Sequence, residues 1–334
     1  MGFEPLLEAH DLVQQFEVRL QGGISGGVVQ AVSNVSLSIG RGETVALVGE
    51  SGSGKSTFAR SIIQSPPPKS GQVWFLGEDL TQLRRRGLMN ARRQLQMVFQ
   101  DPFASLNPEW RVRQIVEEPL VGYGVGTRAD RRKRVDEVLN LVGLNPQTFA
   151  RRRPSQLSGG QCQRVAIARA LTLDPALIIC DEAVSALDVI VQAQILNLFE
   201  KLRAELGLSY LFVSHDLALV RQVSDRVAVM HLGEIVEVAS AEDLYRAPAH
   251  PYTLALLESS PSTDPAAPRR PVVTIKGDPP SPLNPPSGCR FRTRCPMAQD
   301  KCAEERPRLT AISAGHQVAC HFPIHGDPKE RDLG

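Results

Sequence analysis

The 334-residue chain is long enough to bury a full core and to form about two domains. Its contents of 42% hydrophobic and 22% charged residues are ordinary for a globular protein, and its net charge of +2 gives no broad field that would favour nucleic acid as a partner. No apolar stretch reaches the roughly 18–20 residues that cross a bilayer, and Met1-Gly2-Phe3-Glu4-Pro5 does not resemble a secretory signal. We therefore expect a cytosolic protein whose membrane role, if it has one, comes through partners.

The first part of the chain predicts strands that lead to a glycine-rich loop and a helix. An earlier glycine-rich loop, distinct from the one before the helix, is predicted at residues 22–27. The predicted helix is Lys55–Ile63. The predicted strands are Leu6–Phe16, Val28–Ile39, Glu43–Val48, Gln72–Phe75 and Gln96–Phe99.

A phosphate-binding motif of the form G-x-x-x-x-G-K-S/T joins the strand at 43–48 to the helix at 55–63. It reads Gly49-Glu50-Ser51-Gly52-Ser53-Gly54-Lys55-Ser56-Thr57. Glycines let successive backbone N–H groups converge on phosphates, and the helix directs its positive end at them. Lys55 is predicted to bind the β- and γ-phosphates, and Ser56 to offer its hydroxyl to Mg²⁺. The motif alone predicts only that the chain binds a nucleoside triphosphate.

The middle of the chain, from about residue 104 to 171, predicts a mostly helical insertion. Apolar residues recur at helical spacing in Asp130–Val142 and again in Gln161–Leu171. Beyond it, strands and helices alternate, which predicts an α/β core with parallel strands. The predicted strands are Ala176–Cys180, Ser209–Val213, Arg226–Met230 and Glu234–Ala239, and the predicted helices are Val189–Leu206 and Leu217–Val223.

Two adjacent carboxylates, Asp181 and Glu182, follow the apolar strand that ends at Cys180. Ligands bind at the carboxyl ends of strands in α/β sheets, so we expect both side chains at the nucleotide site. Asp181 is predicted to bind Mg²⁺. Glu182 is predicted to act as the base, or to orient the water, that attacks the γ-phosphate.

A domain boundary is predicted near Ser259, which gives an ATP-binding domain at 1–258 and an extension at 259–334. Nine of the 25 prolines fall between Pro261 and Pro286, a composition typical of an extended connector. A short helix from His250 through Leu257 precedes it.

Four of the six cysteines, Cys289, Cys295, Cys302 and Cys320, lie in this extension. A cytosolic chain does not need disulfides, and clustered thiolates suit a four-sulfur metal site. Their spacings do not match the C-x₂-C pairs common in zinc sites. An iron–sulfur cluster, a Cys₄ zinc site and free thiols all remain open. The other two cysteines, Cys162 and Cys180, are predicted to be ordinary packing residues.

Five motifs in order resemble those of ABC-transporter ATP-binding subunits over about residues 5–250. Besides the phosphate loop, Gln100 matches the family's Q-loop, which senses Mg²⁺ and contacts the transmembrane partner. Ser158-Gly159-Gly160-Gln161 matches the signature motif, and Ser185-Ala186-Leu187-Asp188 matches the D-loop. His215 matches the switch histidine that contacts the γ-phosphate. Phe16 lies about where the family stacks an aromatic ring on adenine, although a buried strand aromatic is an alternative for it.

The resemblance implies a P-loop NTPase core of the ABC type, with a β-subdomain, a helical subdomain at about 104–171 and a small Cys-rich C-terminal extension. It also implies that two subunits pack head to tail, so that the phosphate loop of one and the signature of the other sandwich ATP. Ala183 stands where the family usually has Pro, and Cys162 follows the signature where Arg, Gln or Lys is commoner. Neither departure removes a catalytic group.

The extension narrows the resemblance to the oligopeptide/dipeptide importer ATPases. The segments that carry it are His250–Thr253, Gly277–Cys289 with the following Cys295-Pro296 and Cys302, and Phe103–Pro108. The resemblance implies a 4Fe–4S cluster on the four cysteines, with zinc as the alternative. It implies a second ATP-binding subunit in a heterodimer, two permease subunits and a periplasmic or extracellular substrate-binding protein, with no nucleic-acid partner. The chain would then sit peripherally at the cytoplasmic face of the inner membrane.

The expected function is ATP hydrolysis that energises import of dipeptides or oligopeptides. Closely related subunits serve nickel chelates, glutathione or antimicrobial peptides, so the cargo stays open. A soluble ABC-type ATPase acting on ribosomes or DNA is the alternative class, but such proteins usually carry two nucleotide domains or a long coiled-coil insertion. Neither feature is present in the sequence.

Overall fold

Strands and helices alternate along most of the chain in the computed structural model, which describes residues 5–19, 25–259 and 277–324. The strands are β1 Pro5–Arg19, β2 Ser25–Gly40, β3 Thr44–Val48, β4 Ser70–Phe75, β5 Glu78–Asp79, β6 Leu95–Val98, β7 Leu177–Asp181, β8 Ser209–Ser214, β9 Arg226–His231, β10 Glu234–Ser240, β11 Thr310–Ser313 and β12 His316–Val318. The helices are α1 Lys55–Ile62, α2 Arg85–Gln94, α3 Pro102–Ser105, α4 Val112–Gly122, α5 Arg128–Leu141, α6 Pro146–Phe149, α7 Gly159–Leu171, α8 Val189–Leu206, α9 Leu217–Val223, α10 Ala241–Arg246, α11 Pro251–Ser259 and α12 Asp300–Glu304.

The described residues fall into two compact units. The first takes those of Met1–Leu6, Ile39–Glu43 and Gln82–Val213, and the second takes those of Leu7–Ser38, Thr44–Thr81 and Ser214–Gly334. The predicted division of the chain at Ser259 stays a prediction.

The first unit combines parallel strands with the helical insertion. Strands β6, β7 and β8 are adjacent and parallel, with Leu95 opposite Leu177 and Leu177 opposite Ser209. Every residue of β7 and β8 is buried, as expected for parallel strands covered on both faces. Helices α4, α5 and α7 pack on one another through aliphatic side chains such as Ile115, Val138 and Val165, which are all buried. The predicted helical insertion is confirmed.

The second unit contains two sets of adjacent strands. One is ordered β2-β1-β4-β5, with β1 antiparallel to β4 and β4 antiparallel to β5. The other is ordered β11-β12-β10-β9-β3, in which β3 and β9 are parallel and the remaining pairs are antiparallel. The strands β11 and β12 of the extension thus add to the edge of β10.

A buried carboxylate fastens β12 to β10. Glu237, fully buried on β10, accepts a 2.7 Å bond from the N–H of Ala249 and a 2.9 Å bond from the N–H of His250. Its Oε1 also lies 2.7 Å from Nε2 of His316, on β12. Buried charges need such partners, so this carboxylate ties three segments of the second unit together.

Several elements differ from the sequence-based expectation. The interpretation of 22–27 as a loop is wrong for Ser25–Gly27, which belong to β2, while residues 20–24 lie outside the described residues. Most of the predicted proline-rich connector, residues 260–276, also lies outside them. Outside the predicted helical insertion, the elements that the sequence patterns did not predict are β5, β11, β12, α2, α10 and α12.

Candidate functional site

The phosphate loop lies between β3 and α1 in the second unit. All five residues of β3 are buried, which fixes the start of the loop, and α1 begins directly after Gly54. Lys55 is only 4% exposed, and its ammonium donates to the carbonyl oxygens of Gly49 at 2.8 Å and Glu50 at 2.9 Å. The Ser53 carbonyl accepts from the N–H of Gly233 at 2.7 Å. The loop is therefore closed over its own lysine and held to the β9–β10 turn.

Two glycines of the loop sit where no other residue fits. Gly49 has φ of 153°, and a Cβ there would lie 2.1 Å from the carbonyl oxygen of Met230. Gly54 has φ of 104°, and a Cβ there would lie 2.0 Å from the carbonyl oxygen of Ala31. Backbone cannot move aside as a flexible side chain can. Gly49 and Gly54 are therefore required by the close approach of neighbouring backbone.

The paired carboxylates lie at the end of β7 in the first unit. Asp181 is the last residue of the strand and is 3% exposed. Glu182 follows with φ of 50°, and its N–H donates to the carbonyl of Val213 at 3.0 Å. Nε2 of Gln100 donates to Oε2 of Glu182 at 2.9 Å. Two predicted site residues that are 82 positions apart in the sequence are therefore in direct contact.

The signature motif forms the start of α7, also in the first unit. Ser158 is the N-cap: its hydroxyl accepts from the N–H of Gln161 at 3.3 Å, and the Gln161 side chain accepts from the N–H of Ser158 at 3.1 Å. A Cβ at Gly160 would lie 2.5 Å from Cγ1 of Val191, on α8. Asp188 of the D-loop caps α8 by accepting from the N–H of Val191 at 3.0 Å. Signature and D-loop thus pack side by side.

Phe16 and His215 complete the predicted nucleotide contacts in the second unit. Phe16 lies on β1 and is 41% exposed, so the alternative of a buried strand aromatic is wrong. His215 is exposed and stands between β8 and α9, whose first turn is capped by Asp216 accepting from the N–H of Leu219 at 3.2 Å. Both side chains have the exposure that a nucleotide contact requires.

The four cysteines of the extension line one cavity. Cys289, Cys295, Cys302 and Cys320 surround it, together with residues that include Phe291. The N–H of Cys289 donates to the carbonyl of Cys302 at 2.8 Å, which brings the first and third cysteines together. None of the four forms a disulfide. The predicted grouping of these cysteines is therefore present, as are the buried packing positions of Cys162 and Cys180.

Three thiols of the cavity, those of Cys289, Cys295 and Cys320, have pKa values raised by burial. Burial, with a smaller contribution from the neighbouring cysteines, raises the pKa of Cys289 to about 11 and that of Cys320 to about 12. Without a bound cation these three thiols stay protonated at neutral pH, and a cation would favour their thiolates. Among the described residues, however, no three His, Cys, Asp or Glu side chains are placed to hold a metal ion. Four sulfurs around one cavity match a cluster in number and type of donor.

Contacts to the phosphate loop from Tyr252 on α11 and from Arg294 in the extension were not predicted by any motif. Arg294 binds the Glu50 side chain through two bonds, and the Tyr252 hydroxyl accepts from the N–H of Glu50. Arg294 is 244 positions from Glu50. Only its place in the short segment between Cys289 and Cys295 could have drawn attention to it.

Two protein-family models match the chain. The model for the ABC transporter matches residues 32–185. The model for the oligopeptide/dipeptide transporter C-terminal region matches residues 236–302.

Curated relatives match nearly the whole chain. The oligopeptide transport ATP-binding protein AppF of Bacillus subtilis is 49% identical over 96% of this chain and 98% of its own length. A putative peptide import ATP-binding protein of Brucella ovis is 49% identical over 95% of this chain and 97% of its own. The putative oligopeptide transport ATP-binding protein YkfD of B. subtilis is 47% identical over 98% of both.

Solved structures resemble the chain over about 70% of its length. The dimeric ATP-binding cassette MJ0796 in a post-hydrolysis state with ADP and Pi is 33% identical with a TM-score of 0.62, covering 70% of this chain and 98% of that one. The cbiO1 protein of Clostridium perfringens, part of the ABC transporter complex cbiONQ, is 28% identical with a TM-score of 0.62, covering 72% and 91%. Within the described ranges, no helix combines the length and apolar character of a membrane span.

Proposed function

Because the chain belongs to the ABC transporter family and carries its oligopeptide/dipeptide transporter C-terminal region, we propose that it is the ATP-hydrolysing subunit that energises peptide import through a membrane transporter. The observation that carries the proposal is that the ATPase motifs and this extension occur together in one chain. The match to AppF covers 96% of this chain and 98% of AppF. The named functions of the relatives, oligopeptide transport and peptide import, support the same cargo class.

The family binds ATP with Mg²⁺, and we propose how individual residues contribute. Lys55 and the N–H groups of the loop bind the phosphates. The bonds from the Lys55 ammonium to the carbonyls of Gly49 and Glu50 support this role, because they place the ammonium at the phosphate loop. Ser56, Asp181 and Gln100 hold Mg²⁺, which supplies charge neutralisation for the transferring phosphoryl group. Phe16 stacks on the adenine.

Glu182 and His215 serve the attacking water and the γ-phosphate. The left-handed backbone of Glu182 supports its assignment, because strained conformations of this kind concentrate at functional sites. Its bond from Gln100 orients the carboxylate and links it to the residue proposed to sense Mg²⁺ and the permease.

Glu182→Gln tests these roles. The variant should bind ATP as the native chain does, while turnover in the assembled transporter falls by about 10²–10⁴-fold, as removal of a general base typically causes. ATP binding measured by fluorescence and phosphate release measured on the same preparation separate the two steps. Near-native turnover would exclude Glu182 as the base.

The family implies membrane permease partners. We propose that two permeases, a second and non-identical ATP-binding subunit, and an external substrate-binding protein complete the transporter, with this chain peripheral at the cytoplasmic face of the inner membrane. The exposed Val189 and Ile190, 80% and 73% exposed directly after the D-loop, support a subunit contact there. Purification of the tagged chain from membranes should recover these partners, and peptides added with the binding protein should stimulate ATP hydrolysis. Stimulation by a nickel chelate instead of peptides would change the cargo class.

We further propose that the cysteine cavity holds a 4Fe–4S cluster. Four thiols around one cavity support it. Anaerobically purified protein should be brown with about four irons per chain, and Cys295→Ser should bleach it. One zinc per chain in colourless protein would favour the alternative, and four freely titrating thiols without metal would exclude both.

A further inference from the structure

Arg294, a buried arginine of the extension, binds Glu50 of the phosphate loop. Nη1 of Arg294 donates to Oε2 of Glu50 at 2.7 Å, and Nη2 donates to Oε1 at 2.9 Å. The Arg294 side chain is 7% exposed and that of Glu50 is 26% exposed, so water screens the pair only partly. The hydrogen bonds to Glu50 raise the pKa of Arg294 above its ordinary value. Two parallel charge-assisted bonds fix both the position and the direction of the carboxylate.

Glu50 is the point at which several constraints on the loop meet. Its N–H donates to the Tyr252 hydroxyl at 2.8 Å, and Tyr252 is fully buried on α11. Its carbonyl accepts from Nζ of Lys55 at 2.9 Å and from the N–H of Ser53 at 3.2 Å. A shift of Glu50 would therefore also move the ammonium of Lys55, the group that binds the phosphates.

The backbone segment that carries Arg294 is held by its own contacts. Its N–H donates to the carbonyl of Phe291 at 3.0 Å, and Phe291 is 1% exposed with its ring 5.3 Å from that of Tyr252. Four residues earlier, Arg290 pairs with Glu234 at 2.6 Å and donates to Gln30 at 2.7 Å. The segment that carries Arg294 is fixed by these contacts, so its side chain can position another group at a reduced entropic cost.

We propose that Arg294 is a positioning residue of the ATP site, which holds the phosphate loop through Glu50 in the conformation that accepts nucleotide. It acts in two ways. It pre-organises the loop, so less ordering is left for ATP binding, and it neutralises a carboxylate that would otherwise repel the triphosphate. The inference rests on the proposed function, since it requires that the loop at 49–57 bind ATP.

The test compares ATP dissociation constants of full-length variants. Arg294→Ala should weaken ATP binding about tenfold, because it removes a bidentate charged pair from the loop. In the assembled transporter, kcat at saturating ATP should change less than about twofold, since the bound loop is then ordered by ATP itself. Arg294→Lys, which keeps the charge but not the planar fork, should give an intermediate affinity.

Two further variants separate the charge effect from general damage. Adding Glu50→Gln to Arg294→Ala removes the unpaired carboxylate and should recover part of the affinity, as a double-mutant cycle would show. Arg246→Ala is the matched control: Arg246 also pairs with a carboxylate, Asp243 at 2.7 Å, but at a site 63% exposed on α10. It should leave the affinity for ATP unchanged.

The outcomes distinguish this inference from the proposed function. If the native chain does not bind ATP, the proposed function fails. If the native chain binds ATP and Arg294→Ala binds it equally well, only the positioning role fails, even if the variant melts at a lower temperature. If Arg294→Ala does not fold, the Arg294→Lys variant provides the test. A fully folded Arg294→Lys protein that binds ATP with native affinity would overturn the proposal.

Discussion

The buried histidine His231 has a charge state that its neighbours in sequence do not indicate. His231, at the end of β9, is 1% exposed and lies among the rings of Tyr252 and Phe291, 4.4 and 5.4 Å away between centroids. Burial, together with the positive charge of Arg294, lowers the pKa of His231 to about 3. His231 is therefore neutral at physiological pH, and it lies beside Phe291 in the segment whose Arg294 binds the phosphate loop.

The neutral state of His231 predicts acid sensitivity. The unfolded chain takes up a proton near pH 6.5 and the folded chain only near pH 3, so stability is full above about pH 6.5 and falls as the pH drops below it. Lowering the pH from 7.5 to 5.5 should cost about 1.4 kcal/mol through this residue. His231→Phe should lose that part of the pH dependence in urea unfolding. Equal pH dependence in both proteins would show that the charge of His231 is not opposed by the fold.

At the scale of elements, apolar runs and glycine motifs correctly predict those helices and strands whose side chains are buried. Strand β7 and helix α8 were found because their side chains enter a core. Helix α2 was missed because none of its residues is buried, so no apolar period exists to detect, and β11 is exposed along its whole length. Contacts between distant elements, such as Arg294 with Glu50, leave no local pattern at all.

The phosphate loop gives a prediction that compares two glycines. Gly54→Ala places a Cβ 2.0 Å from the Ala31 carbonyl, so α1 and β2 must separate; we expect a loss of roughly 2–4 kcal/mol in unfolding free energy and loss of ATP binding. Gly77 also has positive φ, at 80°, but a Cβ there meets nothing within 4 Å. Gly77→Ala should cost only about 1–2 kcal/mol and keep ATP binding. Denaturant titrations and nucleotide binding measure both, and similar results for the two variants would contradict the steric argument.

At the scale of the whole molecule, the resemblance to ABC-transporter ATPases predicts ATP sites shared between subunits. The helix α7 presents the signature at its capped start, and the N–H groups of such a start attract phosphate. In a transporter with two different ATP-binding subunits, Gly159→Asp in this chain should impair the site built on the partner's phosphate loop. Photolabelling with azido-ATP, read separately for each subunit, measures this effect. Loss confined to this chain's own phosphate loop would contradict a shared site.

The pairing of β12 with β10 should allow the extension to dock without a covalent link to the rest of the chain. Glu237, the β10–β12 ladder and the arginines at 290 and 294 all join it to the rest of the second unit through side chains and backbone bonds. The chain could therefore be expressed as two polypeptides, divided between residues 259 and 277, and the fragments should reassemble by complementation. A reporter enzyme split across that division would then register the docking of the extension inside living cells.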